Sequence, residues 1–545
     1  MQIKNFLIKY FAEIFIGFLG IIFSLVLYFG TFSKASDHLF IATKAWSDFA
    51  SHIPLVRSFS LGYNFPPQYP LFPNEPIKYH FVFYSVVGLL EKIGIPIDIA
   101  LNSLSALGLL LLIFMIYIFA KELFKSKAVG IISVIFFFFN SSLSYIYFFR
   151  KYPFSADSID QIVANQNFLS FAPYGNGIIS AFWSLNIYTN QRHLALSLGL
   201  SLLLIYLVLK PIFGKKKLSM NQYIFLGILL GLSFFLHTAV ALMTFVVLIC
   251  LIIAFPKIRK ETLLLLFFAA VLTFPQYLYS KGIEGFSPKF YFGYLVSQPT
   301  IGKLTEFWIY NIGISLFLIP LGFFLANKMQ RKIFISFLFL FFIGMGVQLS
   351  PEIAANHKFF NYFFIVADMF CAYFIYLIWK KRIIFKPLAI AFFLFIILGG
   401  IIDIFPIIND SKVAISDYEI TADSLWIKNN TNPNSVFLNT TYLFDPASLV
   451  GRKIFLGWPY FSWSQGYNTD KRGQEMKKML GAANKKTACN LLLANKIDYV
   501  EIKIQNPPDP NIPIISSIYK ENLSYSYTNK SNNYTIYSVT KNCSE

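Results

Sequence analysis

The chain has 545 residues and a net charge of +19, from 46 lysines and arginines against 27 aspartates and glutamates; it is 56% hydrophobic and only 13% charged. Soluble domains carry about 25% charged residues, whereas here apolar runs of about 20 residues, enough to span a bilayer, recur from Phe11 to Ile408. This excludes a soluble enzyme, a disordered chain and a disulfide-knotted secreted domain, and predicts a polytopic α-helical membrane protein.

The first apolar segment, near 11–30, follows Lys4 and Lys9 and lacks a small-x-small cleavage site before Ser33. It reads as a retained signal-anchor helix with a cytoplasmic N-terminus. Later spans fall near 98–120, 128–149, 192–213, 221–236, 238–256, 262–280, 306–327, 333–349, 357–379 and 387–407, about 11 in all. The count requires every basic break to be cytoplasmic: Lys121/Lys125/Lys127, Lys215 to Lys217, Lys257/Arg259/Lys260, Lys328/Arg331/Lys332 and Lys380/Lys381/Arg382. This is the positive-inside pattern of membrane helices, not one basic face, so no nucleic-acid partner is expected. Segment 81–90 is too short to cross, about 15 Å as a helix, and is expected to lie on the outer leaflet.

The expected organisation is a transmembrane domain, 1–407, with large outer loops at 31–97 and 150–191, and an extracytoplasmic domain, 408–545. The tail turns charged and Asn-rich. Helices are expected near 424–428, 475–480 and 488–495, and strands near 435–439, 453–456, 497–502 and 534–539, a small α/β domain. Cys489 and Cys543 face an oxidising side there and are placed to pair, while Cys250 and Cys371 fall in spans as packing residues.

Transporters keep ionisable groups at mid-membrane. Here most polar residues sit at outer span ends and in long outer loops, which points to chemistry at the outer interface. In Trp46-Ser-Asp48-Phe-Ala-Ser-His52, Asp48 and His52 are i,i+4 on one helix face. They act as base and orienting imidazole, or hold a divalent cation (Mg or Mn) together, or form a solvated face. Asp37-His38 is a rival pair. Pro66, Pro67, Pro70, Pro73 and Pro76 stiffen the next segment, either as a rigid connector or to fix His80 against the first-loop helix.

The second outer loop carries Asp157 and Asp160 and ends in Asn190-Gln-Arg192-His193 at the mouth of a span. Arg192 and His193 suit a phosphate at a helix N-terminus, or anchor the interface by snorkelling. His237 falls where the chain turns between two spans, on the outer side. Asn356-His357-Lys358 opens a later span in the same way. Asp368 lies 11 residues beyond His357, about 16 Å deep, where a lone carboxylate needs a partner. In the tail, Arg452 and an aromatic run with Trp458 and Trp463 stack on a sugar or acceptor, anchor the interface, or form core. No Walker loop, His-Glu-x-x-His or Cys-x-x-Cys occurs.

A first span, an outer loop with an early acid, a proline-rich stretch and the run Ile97-Asp-Ile-Ala-Leu-Asn-Ser-Leu-Ser-Ala-Leu-Gly108 together resemble the GT-C fold glycosyltransferases. These include protein O-mannosyltransferases and lipid A aminoarabinose transferases. Ala120-Lys-Glu-Leu-Phe124 resembles their second span. Ala422-Asp-Ser-Leu-Trp426, Gly451-Arg452, Gly457-Trp-Pro and Lys496-Ile-Asp-Tyr-Val500 are similar to the outer domain of bacterial members. The resemblance implies transfer of a sugar from a polyprenyl-phosphate carrier, a lipid-linked donor, to a glycan, lipid or protein acceptor at the outer membrane face. Carried onto this chain, the first-loop acid, base or metal-site residue, is Asp48. Relatives carry Asp-Glu or Asp-x-Asp there, whereas Phe49 follows Asp48 here and His52 comes a turn later. The implied second acid is Asp157 or Asp160, and the carrier phosphate would meet Arg192 and Lys358, with His193, His237 and His357 nearby. The alternatives are a non-catalytic flippase or transporter of cell-envelope glycolipids and a glycan-binding membrane scaffold.

Overall fold

The computed structural model describes residues 2–140, 142–168, 177–281, 287–504 and 510–543; part of the second outer loop, 169–176, lies outside the described residues. Packing divides the chain into two units: Met1–Thr31, Asn102–Gln276 and Pro288–Ser411 form the first, and Phe32–Leu101, Tyr277–Ser287 and Lys412–Glu545 the second.

Among the described residues six helical segments are long and apolar enough to cross a membrane: Lys9–Phe29, Ile97–Phe124, Pro256–Lys281, Lys328–Gly346, Ile353–Trp379 and Ile383–Ile408. Two bent pairs, Lys127–Phe139 with Ser144–Lys151 and Ile301–Ile312 with Ser315–Leu325, raise the number to eight if each is one span. Gly313, at φ +55° between the second pair, takes a left-handed conformation that side chains disfavour and lets the helix axis turn by 90°. Three further expected spans are the shorter apolar helices Leu194–Leu209, Met220–Phe235 and Thr238–Ala254. Length and composition thus support a membrane protein with six to eight candidate spans, and a count of about 11 requires these three shorter helices to cross as well. Between the last two of these short helices the chain reverses through a 3-10 turn, Ser233–Phe235, and an extended His237.

In the first unit, helix His357–Trp379 is buried along most of its length. Helix Ser315–Leu325 comes so close that a Cβ on Gly322 would lie 2.2 Å from the Phe370 carbonyl oxygen. The basic breaks gather at one end of this unit: Lys215 pairs with Glu122 at 2.6 Å, Lys217 with Glu261 at 2.7 Å and Lys121 with Glu13 at 3.3 Å. Lys257 donates to the Pro211 carbonyl and Lys332 to that of Ala254. Phe18, Phe267, Phe274 and Phe342 are exposed, as lipid-facing side chains are.

The second unit holds two sheets. Strands Phe32–Ala35, His38–Ala42 and Lys412–Ser416 form an antiparallel sheet in that order. Ser36 and Asp37, at φ 47° and 61°, make the two-residue turn of its hairpin, a conformation Asp tolerates. The Asp37-His38 pair is thereby a turn feature, with His38 Nδ1 2.9 Å from the Ser36 carbonyl. The other sheet is mixed, with strands Lys453–Ile454, Val436–Leu438, Tyr499–Lys503, Tyr534–Ser538 and Tyr527–Asn529 in spatial order. Its first two pairings are parallel and the rest antiparallel. Helices Ala422–Asn430, Thr469–Leu480 and Lys485–Ala494 complete the expected α/β region. Cys489 and Cys543 form a disulfide, Cα–Cα 5.3 Å, and Cys250 and Cys371 are free.

Candidate functional site

The polar centre of the first unit is built from helix starts. Helix Leu194–Leu209 begins after His193, helix Thr238–Ala254 after His237, and helix His357–Trp379 with His357 and Lys358. The His193 and His237 rings lie 4.9 Å apart, centroid to centroid. At the far ends of their helices, Lys257 reaches Pro211, so these two helices run parallel. The third ends at the same basic side, where Tyr373 stacks on Phe124 at 4.4 Å. Three helix N-termini therefore converge on one buried spot, each with the partial positive charge of a helix start.

All four side chains there are buried. Burial first, then the positive charge of His193, Lys358 and His357, holds the His237 imidazole well below its ordinary pKa. His357 is oriented on both sides: Nδ1–H donates to Asn361 Oδ1 at 2.7 Å, and Nε2 accepts from the Gln191 amide at 3.2 Å. Arg192 adjoins this centre in sequence but is engaged structurally. Its guanidinium donates to Thr189 O, Asn102 Oδ1 and Thr31 Oγ1 and lies over the Tyr28 ring. Asp157 and Asp160 stand exposed at the start of the short helix Ser158–Val163, which Asn409 holds through the Val163 carbonyl.

The expected acidic pair sits in the second unit, on helix Trp46–Ser60. Asp48 is half-buried in the first turn, while His52 is buried with its ring on Tyr84 at 4.7 Å and beside Phe49. The His80 ring also lies against Tyr84, at 6.2 Å. The proline-rich segment that leads to it is pinned by Tyr467, whose hydroxyl donates to Pro76 O, and by Arg472, which donates to Pro73 O between the Phe72 and Phe455 rings.

Sequence reasoning missed the residue that anchors this helix. Arg57 is fully buried and donates to both Asp417 oxygens at 2.7 and 3.0 Å, to Glu91 at 3.0 Å and to the Leu449 carbonyl at 2.8 Å. Burial opposes ionisation of Asp417, but the hydrogen bonds and charge of Arg57 and Lys34 prevail and hold its carboxyl below the usual range. An arginine in a helical stretch, 53–61, with no other charged residue was the available signal.

In the tail, Arg452 is a clamp: its N–H groups go to the carbonyls of Leu61, Val450, Lys428 and Thr431 and to Thr431 Oγ1. Trp458 is half-buried, edge-on to Tyr442, and Trp463 is exposed beside Tyr460. Among the described residues no three His, Cys, Asp or Glu side chains come together to hold a metal ion. The His52 ring is packed among aromatic rings rather than in a cluster of metal-ligating side chains.

No family model matches the chain, and no curated protein matches it in sequence. Among solved structures it is similar to the oligosaccharyltransferase of Archaeoglobus fulgidus. The apo form aligns at TM-score 0.50 and 12% identity over 91% of this chain and 70% of that one. The form with zinc and sulfate aligns at 0.47, 12% identity, 90% and 68%. The form with an inhibitory peptide and a dolichol-phosphate aligns at 0.41, 12% identity, 91% and 70%. The first likeness establishes the fold, a GT-C architecture as the sequence resemblance implied.

Proposed function

We propose that the protein is an integral membrane glycosyltransferase that moves a sugar from a polyprenyl-phosphate carrier to an acceptor at the outer membrane face. The observation that carries this reading is the meeting of three helix N-termini with His193, His237 and Lys358. A buried site that gathers a lysine and imidazoles suits an anion, and a phosphate at helix N-termini gains from both dipole and N–H groups. The basic breaks at the opposite end of the same helices support a cytoplasmic assignment for that end. The Cys489–Cys543 disulfide supports an oxidising side for the tail.

In this reading the acceptor hydroxyl gives its proton to the Asp48 carboxylate as its oxygen bonds to the anomeric carbon. The bond from that carbon to the carrier phosphate breaks, and both electrons leave with the phosphate. His193, His237 and Lys358, with the helix N-termini, take up the charge that develops on it. Asp157, Asp160, Tyr460 and Trp463 are exposed and available to the acceptor. Trp458 opens the short helix that carries these rings, and Arg452 clamps the segments around Thr431 and Val450.

The test is sugar transfer by the purified protein from a synthetic polyprenyl-phosphate sugar, with Asp48→Asn and Lys358→Ala beside wild type. Loss of transfer in both variants at normal expression supports the reading. Wild-type transfer in both overturns it, and carrier translocation without transfer by the wild type favours a flippase. Mass spectrometry of lipid-linked sugars that accumulate in a deletion strain identifies the donor.

A further inference from the structure

Inside the first unit lies a cavity of about 20 Å³, bounded by Ser133, Asn140, Trp183, Tyr188, Asn361 and Asp368 with three apolar neighbours. A space of this size holds one water-sized species. Asp368 is 3% exposed, and its Oδ1 has no hydrogen-bond partner among the described residues. Its place on helix His357–Trp379, well inside a membrane-spanning segment, makes an unpartnered charge there expensive. Among the described residues the lining has no lysine, arginine or histidine to supply a counter-charge. It does have oxygen donors: the Asp368 carboxylate, the Tyr188 and Ser133 hydroxyls and the side-chain carbonyls of Asn140 and Asn361.

We propose that Asp368 and this chamber bind a monovalent alkali cation, with sodium as the fitting size. Hard oxygen ligands suit alkali and alkaline-earth ions rather than transition metals. The single carboxylate balances one positive charge, which favours a monovalent over a divalent ion. The Trp183, Phe137 and Phe364 rings at the cavity wall add attraction for a cation and none for an anion. The site joins the polar centre through one residue: Asn361 lines the chamber and accepts from His357 Nδ1. Its amide donates to the Phe182 carbonyl, which leaves the carbonyl oxygen as the end that meets both the imidazole and a cation. The proposal is independent of the glycosyltransferase reading and holds or fails without it.

The experiment is sodium-22 binding to the full-length protein in detergent, together with thermal unfolding in sodium chloride against choline chloride at equal concentration and fixed pH. Wild type is expected to bind sodium-22 saturably, displaced by unlabelled sodium but not by choline, and to gain on the order of 2 °C or more in Tm. Asp368→Asn is expected to lose both effects, and Tyr188→Phe, a smaller change, to weaken binding several-fold while folding normally. Absence of sodium-22 binding by wild type with equal Tm in the two salts overturns the proposal and leaves Asp368 a neutral, hydrated carboxyl. Undiminished sodium binding in Asp368→Asn and in Tyr188→Phe also overturns it, since the ion then sits elsewhere.

Discussion

The two units place their buried basic side chains in different settings. In the second, the Arg57 guanidinium meets Asp417 and Glu91, so each charge finds its opposite and the pair ties helix Trp46–Ser60 to helix Val82–Lys92 and to the segment after the last span. In the first, His193, His237 and Lys358 meet at three helix N-termini with His237 held neutral, and the described hydrogen bonds of Arg192 end on neutral oxygens. A completed ion pair serves conformation. Helix N-termini gathered with imidazole and ammonium N–H groups lower the free energy of an anion brought to them, as a binding site does. Stability and function are thus written in the same residue types and told apart by their partners.

The sharpest way to break this distinction is at Arg57. Arg57→Met leaves the buried Asp417 with Lys34 alone and takes the half-buried Glu91 from its partner, and is expected to cost about 3–5 kcal/mol, seen as a lowered Tm and rapid proteolysis within 32–101 and 412–545. Asp417→Asn added to it is expected to restore part of the loss. Lys358→Ala is expected to do the reverse: a fall in transfer of about 10²–10³-fold, near 2.7–4 kcal/mol at the transition state, with Tm unchanged or raised. A large drop in Tm with transfer intact would place Lys358 in the structural class instead.

Within the second unit, Cys543→Ala is expected to cost about 2–4 kcal/mol, measured as a lower denaturant midpoint that reduction of wild type reproduces. The smallest effect concerns a carboxyl pair. Asp445 caps helix Pro446–Leu449 through the Ala447 and Ser448 N–H groups, and Glu501 accepts from the Tyr534 hydroxyl. Burial raises both pKa values, and for Glu501 the Asp445 charge adds to it. Their stabilisation is complete below the ordinary carboxylate range and is lost as pH rises through the higher folded-state values. The unit is expected to lose on the order of 1 kcal/mol between pH 5 and pH 8, and Glu501→Gln to flatten that slope in pH-dependent unfolding. Asp417 runs the other way, but its contribution is already complete above the ordinary carboxylate range and does not mask the trend.

Much of this molecule is local and therefore legible. Hydropathy marks each long span, and alternation and capping mark the tail elements: the strand read near 497–502 is Tyr499–Lys503, and the helix read near 488–495 is Lys485–Ala494. The strand Lys412–Ser416 escaped because its partner, His38–Ala42, lies far away in the chain. The same held for Arg57, whose meaning depends on Asp417, and for Arg192 and Arg452, whose charge looked available until their hydrogen-bond partners were known.

Composition, charge placement and apolar run length were enough to settle that this is a helical membrane protein with an α/β tail, because solvent preference is a property of each stretch alone. Which cations are neutralised, which helices run parallel and which N-termini meet were decided only by packing. Those outcomes depend on contacts between residues far apart in the chain, and no local pattern encodes them.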